Sequence, residues 1–145
     1  MTITYGILQP AYVSASRTKE INHLIRQISP ERDLINIEDL WFLCDINTLI
    51  VAQEGEKIVG MVMLVRVSTL TCRYCLVEDL VVHDQYPGRD INKCLVKETI
   101  RWANRFYLKY LDFKIPQEKE VMETLNDQYS LLQVPDVGVW RLPLR

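Results

Sequence analysis

The stretch CLVEDLVVHDQYPGRDINKCLVKETIRWANRFY, from Cys75 to Tyr107, contains the pattern that decides the fold. Its first part, Cys75–Val82, is rich in Val and Leu and predicts a β-strand, although it contains two adjacent acids. A polar loop, His83–Arg89, follows. A long helix is then predicted over about Ile91–Tyr107, because apolar residues share one stripe: Ile91, Cys94, Leu95, Trp102, Ala103 and Phe106.

The residues before this stretch predict two kinds of element. Strands are predicted over Ile3–Leu8, Thr48–Gln53 and Ile58–Val67. Helical spacing of Ile21, Leu24, Ile25 and Ile28 predicts a helix over about 15–28. Ser29-Pro30-Glu31 is typical of a stop followed by a fresh helix start, and Asn36 is a candidate cap for a short helix through Leu40, Trp41 and Cys44.

The residues after it predict a strand at Tyr110–Ile115, a short helix at Glu118–Asn126, and a hairpin of Tyr129–Val134 with Val137–Leu142. The element order is therefore β, α, α, β, β, β, α, β, α, β, β. A strand, helix, strand unit implies one parallel crossover inside a mostly antiparallel sheet, with a cleft where the pairing changes direction. We predict an α/β (α+β) fold in a single domain over residues 1–145, because the sequence has no repeat and no linker.

The composition limits the classes of partner. The chain has 145 residues, of which 48% are hydrophobic and 25% charged, and its net charge is −2. This balance is typical of a globular domain and gives no general attraction to nucleic acid or to anionic membranes. No signal-peptide pattern is present, so we expect a cytoplasmic protein. Cys72 and Cys75 form a C-x-x-C without a second ligand pair, so neither a metal site nor a redox pair is predicted.

The segments Ile58–Gly60, Val77–His83 and Gln85–Leu95 resemble the Gcn5-related N-acetyltransferase (GNAT) family. The similarity extends to the element order of nearly the whole chain and is most specific over about residues 48–107. It implies a splayed pair of strands with helices on both faces of the sheet, and acetyl-CoA as acyl donor. The pantetheine chain would pair with the backbone of Leu80, Val81 and Val82. The pyrophosphate would lie on the loop and helix start formed by Gly88, Arg89, Asp90, Ile91, Asn92 and Lys93.

The sequence departs from the family consensus R/Q-x-x-G-x-G/A at this loop. Pro87 replaces the Arg or Gln, Asp90 the first glycine, and Asn92 the last small residue. A side chain in place of glycine hinders close approach of the backbone to phosphate. We expect Asp90 to cap the helix and to repel the anion, at a cost of about 4 kcal/mol at 4 Å. Arg89 and Lys93 flank the loop and offer compensating cations.

The resemblance also assigns catalytic candidates. Glu78 matches a strand glutamate that accepts the amine proton, and Asp79 is expected on the opposite face of the strand. The family tyrosine that protonates the leaving thiolate aligns with Asn126, which cannot act as an acid. Tyr129, three residues later, is the candidate in its place.

Two functions remain open from the sequence. The first is an acyl-CoA-dependent N-acetyltransferase acting by direct attack of a primary amine on a small molecule, amino acid or peptide. The alternative is an inactive GNAT-fold binding module that has lost acetyl-CoA. The resemblance further implies a homodimer formed through sheet edges or the last strands. The sequence does not identify the acceptor.

Overall fold

The computed structural model describes residues 2–106, 108–114, 123, 126, 127, 129, 132–134 and 139–144. The elements follow the predicted order. They are β1 (Ile3–Ile7), a 3-10 turn (Pro10–Tyr12), α1 (Ala15–Ile28), α2 (Ile37–Ile46), β2 (Thr48–Glu54), β3 (Lys57–Ser68), β4 (Arg73–Val82), α3 (Gly88–Arg105), β5 (Tyr110–Lys114), β6 (Leu132–Val134) and β7 (Val139–Pro143).

The described strands form one sheet in the order β1-β2-β3-β4-β5-β7-β6. All neighbours are antiparallel except β4 and β5, which are parallel. The helix α3 connects these two strands, as a parallel crossover requires. The predicted mixed sheet with one parallel pair is therefore confirmed.

The first two helices begin at side-chain caps. The Ser14 hydroxyl accepts a hydrogen bond from the Arg17 amide (3.2 Å) at the start of α1. Asn36 and Asp39 form a reciprocal capping box at α2, with Asp39 N to Asn36 Oδ1 at 2.7 Å. The predicted cap at Asn36 is thus confirmed. The prediction of a new helix start at Ser29-Pro30-Glu31 is wrong, because Ser29 ends α1 and only a single turn follows it.

Two hydrophobic clusters cover the two faces of the sheet. The α3 cluster lies between the sheet and α3 and includes Ile50, Val62, Val77, Leu95 and Phe113. The α1/α2 cluster lies on the opposite face and includes Ile21, Leu24, Leu40, Met61 and Met63. Burial of these side chains supplies most of the driving force for folding. Helices on both faces are therefore confirmed.

The helix α3 rests on a glycine of the central sheet. A Cβ atom at Gly60 would lie 3.3 Å from Ile91 Cγ2, from Leu95 Cδ1 and from the Val81 carbonyl oxygen. The hydrogen atom of glycine therefore lets the first turns of α3 approach β3 and β4 closely. This close packing determines where α3 begins relative to the end of β4.

The helix start and the C-terminal elements differ from the prediction. α3 begins at Gly88, because Pro87 has a non-helical backbone (φ −70°, ψ 86°) and is the N-cap residue. Of the predicted helix Glu118–Asn126, only Glu123 and Asn126 are described, and both are helical. Tyr129 is also helical, so the following strand begins at Leu132.

A partly buried ion pair joins the two strands beyond the crossover. Arg141 of β7 donates to both carboxylate oxygens of Asp112 on β5, with Nε at 2.7 Å and Nη2 at 3.1 Å. The Arg141 guanidinium also lies 3.9 Å from the centre of the Tyr110 ring. Bidentate geometry is the strong form of this interaction, so it fixes the register of β5 against β7.

Among the described residues, no helix is long and apolar enough to cross a membrane.

The seat of α3 can be tested with Gly60→Val. The added Cβ alone meets Ile91, Leu95 and the Val81 carbonyl at 3.3 Å, and valine adds two methyl groups beyond it, so we expect a loss of about 1–3 kcal/mol in the free energy of unfolding. Gly6→Val is the matched control, because a Cβ at that strand glycine has no neighbour within 4 Å. We expect its effect to stay within about 0.5 kcal/mol. Urea denaturation measures both, and equal losses would contradict the close seat.

Candidate active site

A gap opens between the parallel strands β4 and β5. Their register pairs Cys75 with Leu111, Leu76 with Asp112, and Val77 with Phe113. β4 continues to Val82, but over the described residues its last five positions have no partner on β5. The predicted splay of the two strands is therefore present and begins after Val77.

A β-bulge in β4 lies where the gap begins. Met61 pairs with Val81 and Met63 with Glu78. Between these two pairs the chain advances three residues along β4 but only two along β3, so β4 contains one extra residue. Asp79 has φ 56°, in the left-handed region. This is the extra residue of the bulge, since Val77 and Leu80 both pack against the α3 cluster although strict alternation would separate them. Asp and Asn are the non-glycine residues that adopt this conformation most readily.

The bulge corrects the predicted placement of the two acids. By alternation from Val77, Glu78 lies on the face of α1 and α2. Asp79 lies on the same face, where it lines a cavity with side chains of the α1/α2 cluster. The expectation of opposite faces is wrong because it assumed an unbroken strand. Sequence reasoning assigned no role to Asp79, and the only signal that could have found it was an acid in an apolar run.

The Asp79 pocket has a volume of about 140 Å³. It is lined by Asp79 together with Ile21, Ile25, Ile28, Ser29, Arg32, Ile35, Leu43, Leu49, Met61 and Met63. Its walls come from α1, α2, the loop between them, β2 and β3. The pocket is therefore apolar, with one carboxylate and one guanidinium among its lining groups.

The end of β4 presents its backbone to the gap. The His83 amide donates to the Val59 carbonyl (2.8 Å), and Gly60 is the register partner of Val82. In an antiparallel ladder this pattern turns the amide and carbonyl of Val82 away from β3, whereas those of Val81 face β3. All three of Leu80, Val81 and Val82 were predicted to pair with the cofactor. Because the backbone groups of Val81 face β3, only Leu80 and Val82 have outward-facing groups available for this pairing.

A glutamine of α1 already contacts this edge. Gln27 Nε2 donates to the Val82 carbonyl at 2.9 Å, and the Asp84 amide donates to Gln27 Oε1 at 3.1 Å. Gln27 therefore ties α1 to the end of β4 and to the following loop. A ligand that uses the Val82 carbonyl has to displace this bond.

The start of α3 lies at the corner of the gap. A Cβ atom at Gly88 would lie 3.8 Å from Val82 Cβ, so the first helical residue contacts the end of β4. Pro87, the N-cap, provides no side-chain hydrogen bond. The amides of a first helical turn have no intrahelical acceptor, and the helix dipole favours negative charge there. This corner is suited to an anion.

The residues predicted to contact that anion differ in their exposure and in their position in the helix. Asp90 is the third helical residue and is exposed, so the prediction that it caps the helix is wrong. Ile91 and Asn92 are buried, at 2% and 5% exposure, and only their backbones can reach a ligand. Lys93 is half-buried. Of Arg89 the structure describes the backbone, which belongs to the first turn.

The carboxylate of Asp90 lies near β1. Burial, a hydrogen bond with Cys94, and the charges of Cys94 and Asp90 raise the pKa of Tyr5. Asp90 and Cys94 are four residues apart and share one face of α3. Asp90 is therefore close enough to Tyr5 to affect its pKa, and because the carboxylate is exposed, solvent screens its repulsion of an anion at the corner.

The two catalytic candidates lie on different faces of the sheet. Tyr129 is half-buried and packs against the α3 cluster, whereas Glu78 lies on the α1/α2 face. Asn126 is helical and half-buried. A reacting group has to lie in the gap between β4 and β5 to approach both Glu78 and Tyr129.

The cysteines offer little nucleophilic character. Burial raises the pKa of Cys44 and of Cys75 to about 11, so both thiols are protonated at neutral pH. Cys72 and Cys75 are both free thiols.

Near the end of β4, burial and the neighbouring His23 and Lys57 lower the pKa of His83, which Asp84 partly opposes.

The model of the acetyltransferase (GNAT) family matches residues 18–119 of the sequence. The chain belongs to the GNAT acetyltransferase family. Solved structures share the GNAT fold at low identity. A chain of the NatC complex bound to Gag peptide and CoA has a TM-score of 0.75 at 16% identity and full coverage of both chains.

Two further structures agree with this assignment. yncA from Salmonella typhimurium, described as a putative acetyltransferase with its cofactor acetyl-CoA, has a TM-score of 0.74 at 14% identity, covering 99% of this chain and 94% of its own. Arabidopsis thaliana NAA60 with a bisubstrate analogue has a TM-score of 0.73 at 13% identity, with 99% coverage of each chain. At these identities the likeness shows the fold. No curated protein sequence matches the chain.

The left-handed backbone at Asp79 can be tested with a matched pair of substitutions. Asp79→Asn and Asp79→Val both remove the charge, but only Asn tolerates the observed φ readily. We expect the Val variant to lose about 1–2 kcal/mol more than the Asn variant in free energy of unfolding, measured in urea. Equal losses would show that β4 does not depend on this bulge conformation.

Proposed function

We propose that the chain is an acetyl-CoA-dependent N-acetyltransferase in which a primary amine attacks the donor directly. One observation carries the proposal: over the described residues β4 pairs with β5 only as far as Val77, and the first turn of α3 contacts the end of β4 beyond that point. Family membership supports the reaction class. Neighbours solved with CoA, with acetyl-CoA and with a bisubstrate analogue support the donor.

The chain offers a cofactor site made mainly of backbone. In this proposal the amides of Gly88–Ile91 bind the pyrophosphate, and the outward edge of Leu80 and Val82 pairs with pantetheine. Arg89 and Lys93 add positive charge. The Asp90 carboxylate is exposed, so solvent and salt screen its repulsion of the pyrophosphate.

Proton transfers are assigned to two residues. Acetyl-CoA supplies the acetyl group as a thioester. Glu78 accepts a proton from the attacking amine, directly or through water, and Tyr129 donates a proton to the leaving thiolate. In this proposal the base works on the acceptor side and the acid on the donor side, and the location of Glu78 and Tyr129 on opposite faces of the sheet supports this division.

The acceptor amine is assigned to the Asp79 pocket. Its apolar walls and its volume of about 140 Å³ fit one residue-sized group, and Asp79 attracts a cationic amine. The proposal covers an N-terminal amino acid of a peptide and a small apolar amine. Homodimer formation and cytoplasmic location stay predictions.

Cofactor binding is tested first. Acetyl-CoA at about 100 times its dissociation constant should stabilise the protein by roughly 2.7 kcal/mol, observed as a rise in Tm. No rise at millimolar acetyl-CoA would favour the inactive binding module, consistent with Pro87, Asn126 and the bond of Gln27 to Val82.

Catalysis is tested with a panel of peptides and small amines, by thiol release and by mass spectrometry of the product. Glu78→Gln should lower kcat by about 10²–10⁴-fold without changing the acetyl-CoA shift in Tm. Asp79→Asn is the matched comparison at the next residue and should raise KM with kcat nearly unchanged. Full kcat in the Glu78→Gln variant would remove Glu78 as the base.

A further inference from the structure

Three side chains with metal-ligating atoms meet at the far end of β4. His23 is on α1, and His83 and Asp84 directly follow β4. The distance from His83 Nδ1 to Asp84 Oδ1 is 3.1 Å, and from His23 Nε2 to the same oxygen 3.9 Å. One ligand atom from each of the three lies within 4.8 Å of the others. The two imidazole rings stack with centroids 4.4 Å apart.

His83 Nδ1 has two polar neighbours. The Gln85 amide donates to it at 3.2 Å. The Asp84 carboxylate oxygen lies 3.1 Å from the same nitrogen. A metal ion bound at Nδ1 would use the lone pair that accepts from Gln85 and would take the place of that hydrogen bond.

We propose that His23, His83 and Asp84 bind a divalent transition-metal ion, with Zn²⁺ as the expected occupant. Two imidazoles and a carboxylate are a ligand set that suits Zn²⁺, and three protein ligands leave a fourth position for water. Ligand atoms about 2.0–2.2 Å from a tetrahedral ion lie roughly 3.3 Å apart. An ion lies in the plane of each imidazole that binds it, so binding requires the His23 ring to rotate out of its stacked position on His83. The side chains of His23 and Asp84 are 51% and 67% exposed, which leaves them room to move.

The surrounding contacts hold the ligand backbone in place. Gln27 bonds to the Val82 carbonyl and the Asp84 amide, and the Tyr86 amide donates to the His83 carbonyl at 3.0 Å. Because Gln27 and His23 are one helical turn apart on α1, the ion would add a second link between α1 and the loop before α3. The metal site does not depend on the proposed acetyl transfer.

Charged neighbours moderate the expected affinity. Lys57 and Lys19 line an adjoining cavity of about 320 Å³ with Glu20, His23 and His83. Glu20 accepts a hydrogen bond from the Ile58 amide at 2.8 Å. The lysines oppose a cation, so removal of the Lys57 charge should tighten Zn²⁺ binding.

The experiment is calorimetric titration of untagged, chelator-treated protein with zinc chloride. We expect one bound ion per chain, at least tenfold weaker binding in His23→Gln and in Asp84→Asn, and tighter binding in Lys57→Met. Asp33→Asn, an equal change of charge at an exposed site, and the Cys72→Ser, Cys94→Ser double variant should bind as the unaltered chain does.

Several results would overturn the proposal. These are no binding by the unaltered chain, unchanged affinity in both ligand variants, or loss of binding in the cysteine variant. A parallel titration with inorganic phosphate tests the opposite charge. Stabilisation by phosphate instead of zinc, abolished by His23→Gln, would make this an anion site of Lys19 and Lys57 and would also overturn the proposal.

Discussion

The extra residue in β4 is the constraint on which the arrangement of the site depends. β3 and β4 stay paired along most of their length, so the strand has to absorb one unpaired residue, and it does so at Asp79 with a left-handed backbone. A bulge increases twist and bends the strand locally. Over the described residues, pairing with β5 ends at Val77, just before the bulge, and leaves the outward edge of Leu80 and Val82 without a partner on β5. The same extra residue turns Asp79 to the face of α1 and α2.

The gap offers hydrogen-bond donors to an anionic ligand because α3 begins beside it. The close approach at Gly60 seats Ile91 and Leu95 on the sheet, and Gly88 then contacts Val82. The unpaired amides of the first helical turn therefore lie beside the free strand edge, so a single extended ligand with an anionic group can use both. On the opposite side, Gln27 links α1 to the same strand end, which couples the packing of the first helix to the geometry of the gap.

Periodicity and family resemblance predicted the element order, the mixed sheet and the splayed pair, because strongly patterned segments such as α1 and β3 carry their own signal. Local exceptions were missed where one residue changes the geometry. The bulge at Asp79 breaks the alternation on which the prediction of opposite faces depended, and Pro87 starts α3 before the apolar stripe begins. Asp90 was assigned to the cap because the helix start was set too late. His23 and His83 are sixty positions apart, and only the packing of α1 on the sheet brings them together.

The central claim is that the free edge of β4 and the first turn of α3 form one cofactor site. Amide NMR of the protein titrated with CoA tests it most directly, because each backbone N–H reports its own contact. We expect the largest chemical-shift changes at Leu80, Val82 and Gly88–Ile91, with small changes at β1 and β2. Saturable changes centred on another surface, or none at millimolar CoA, would contradict it.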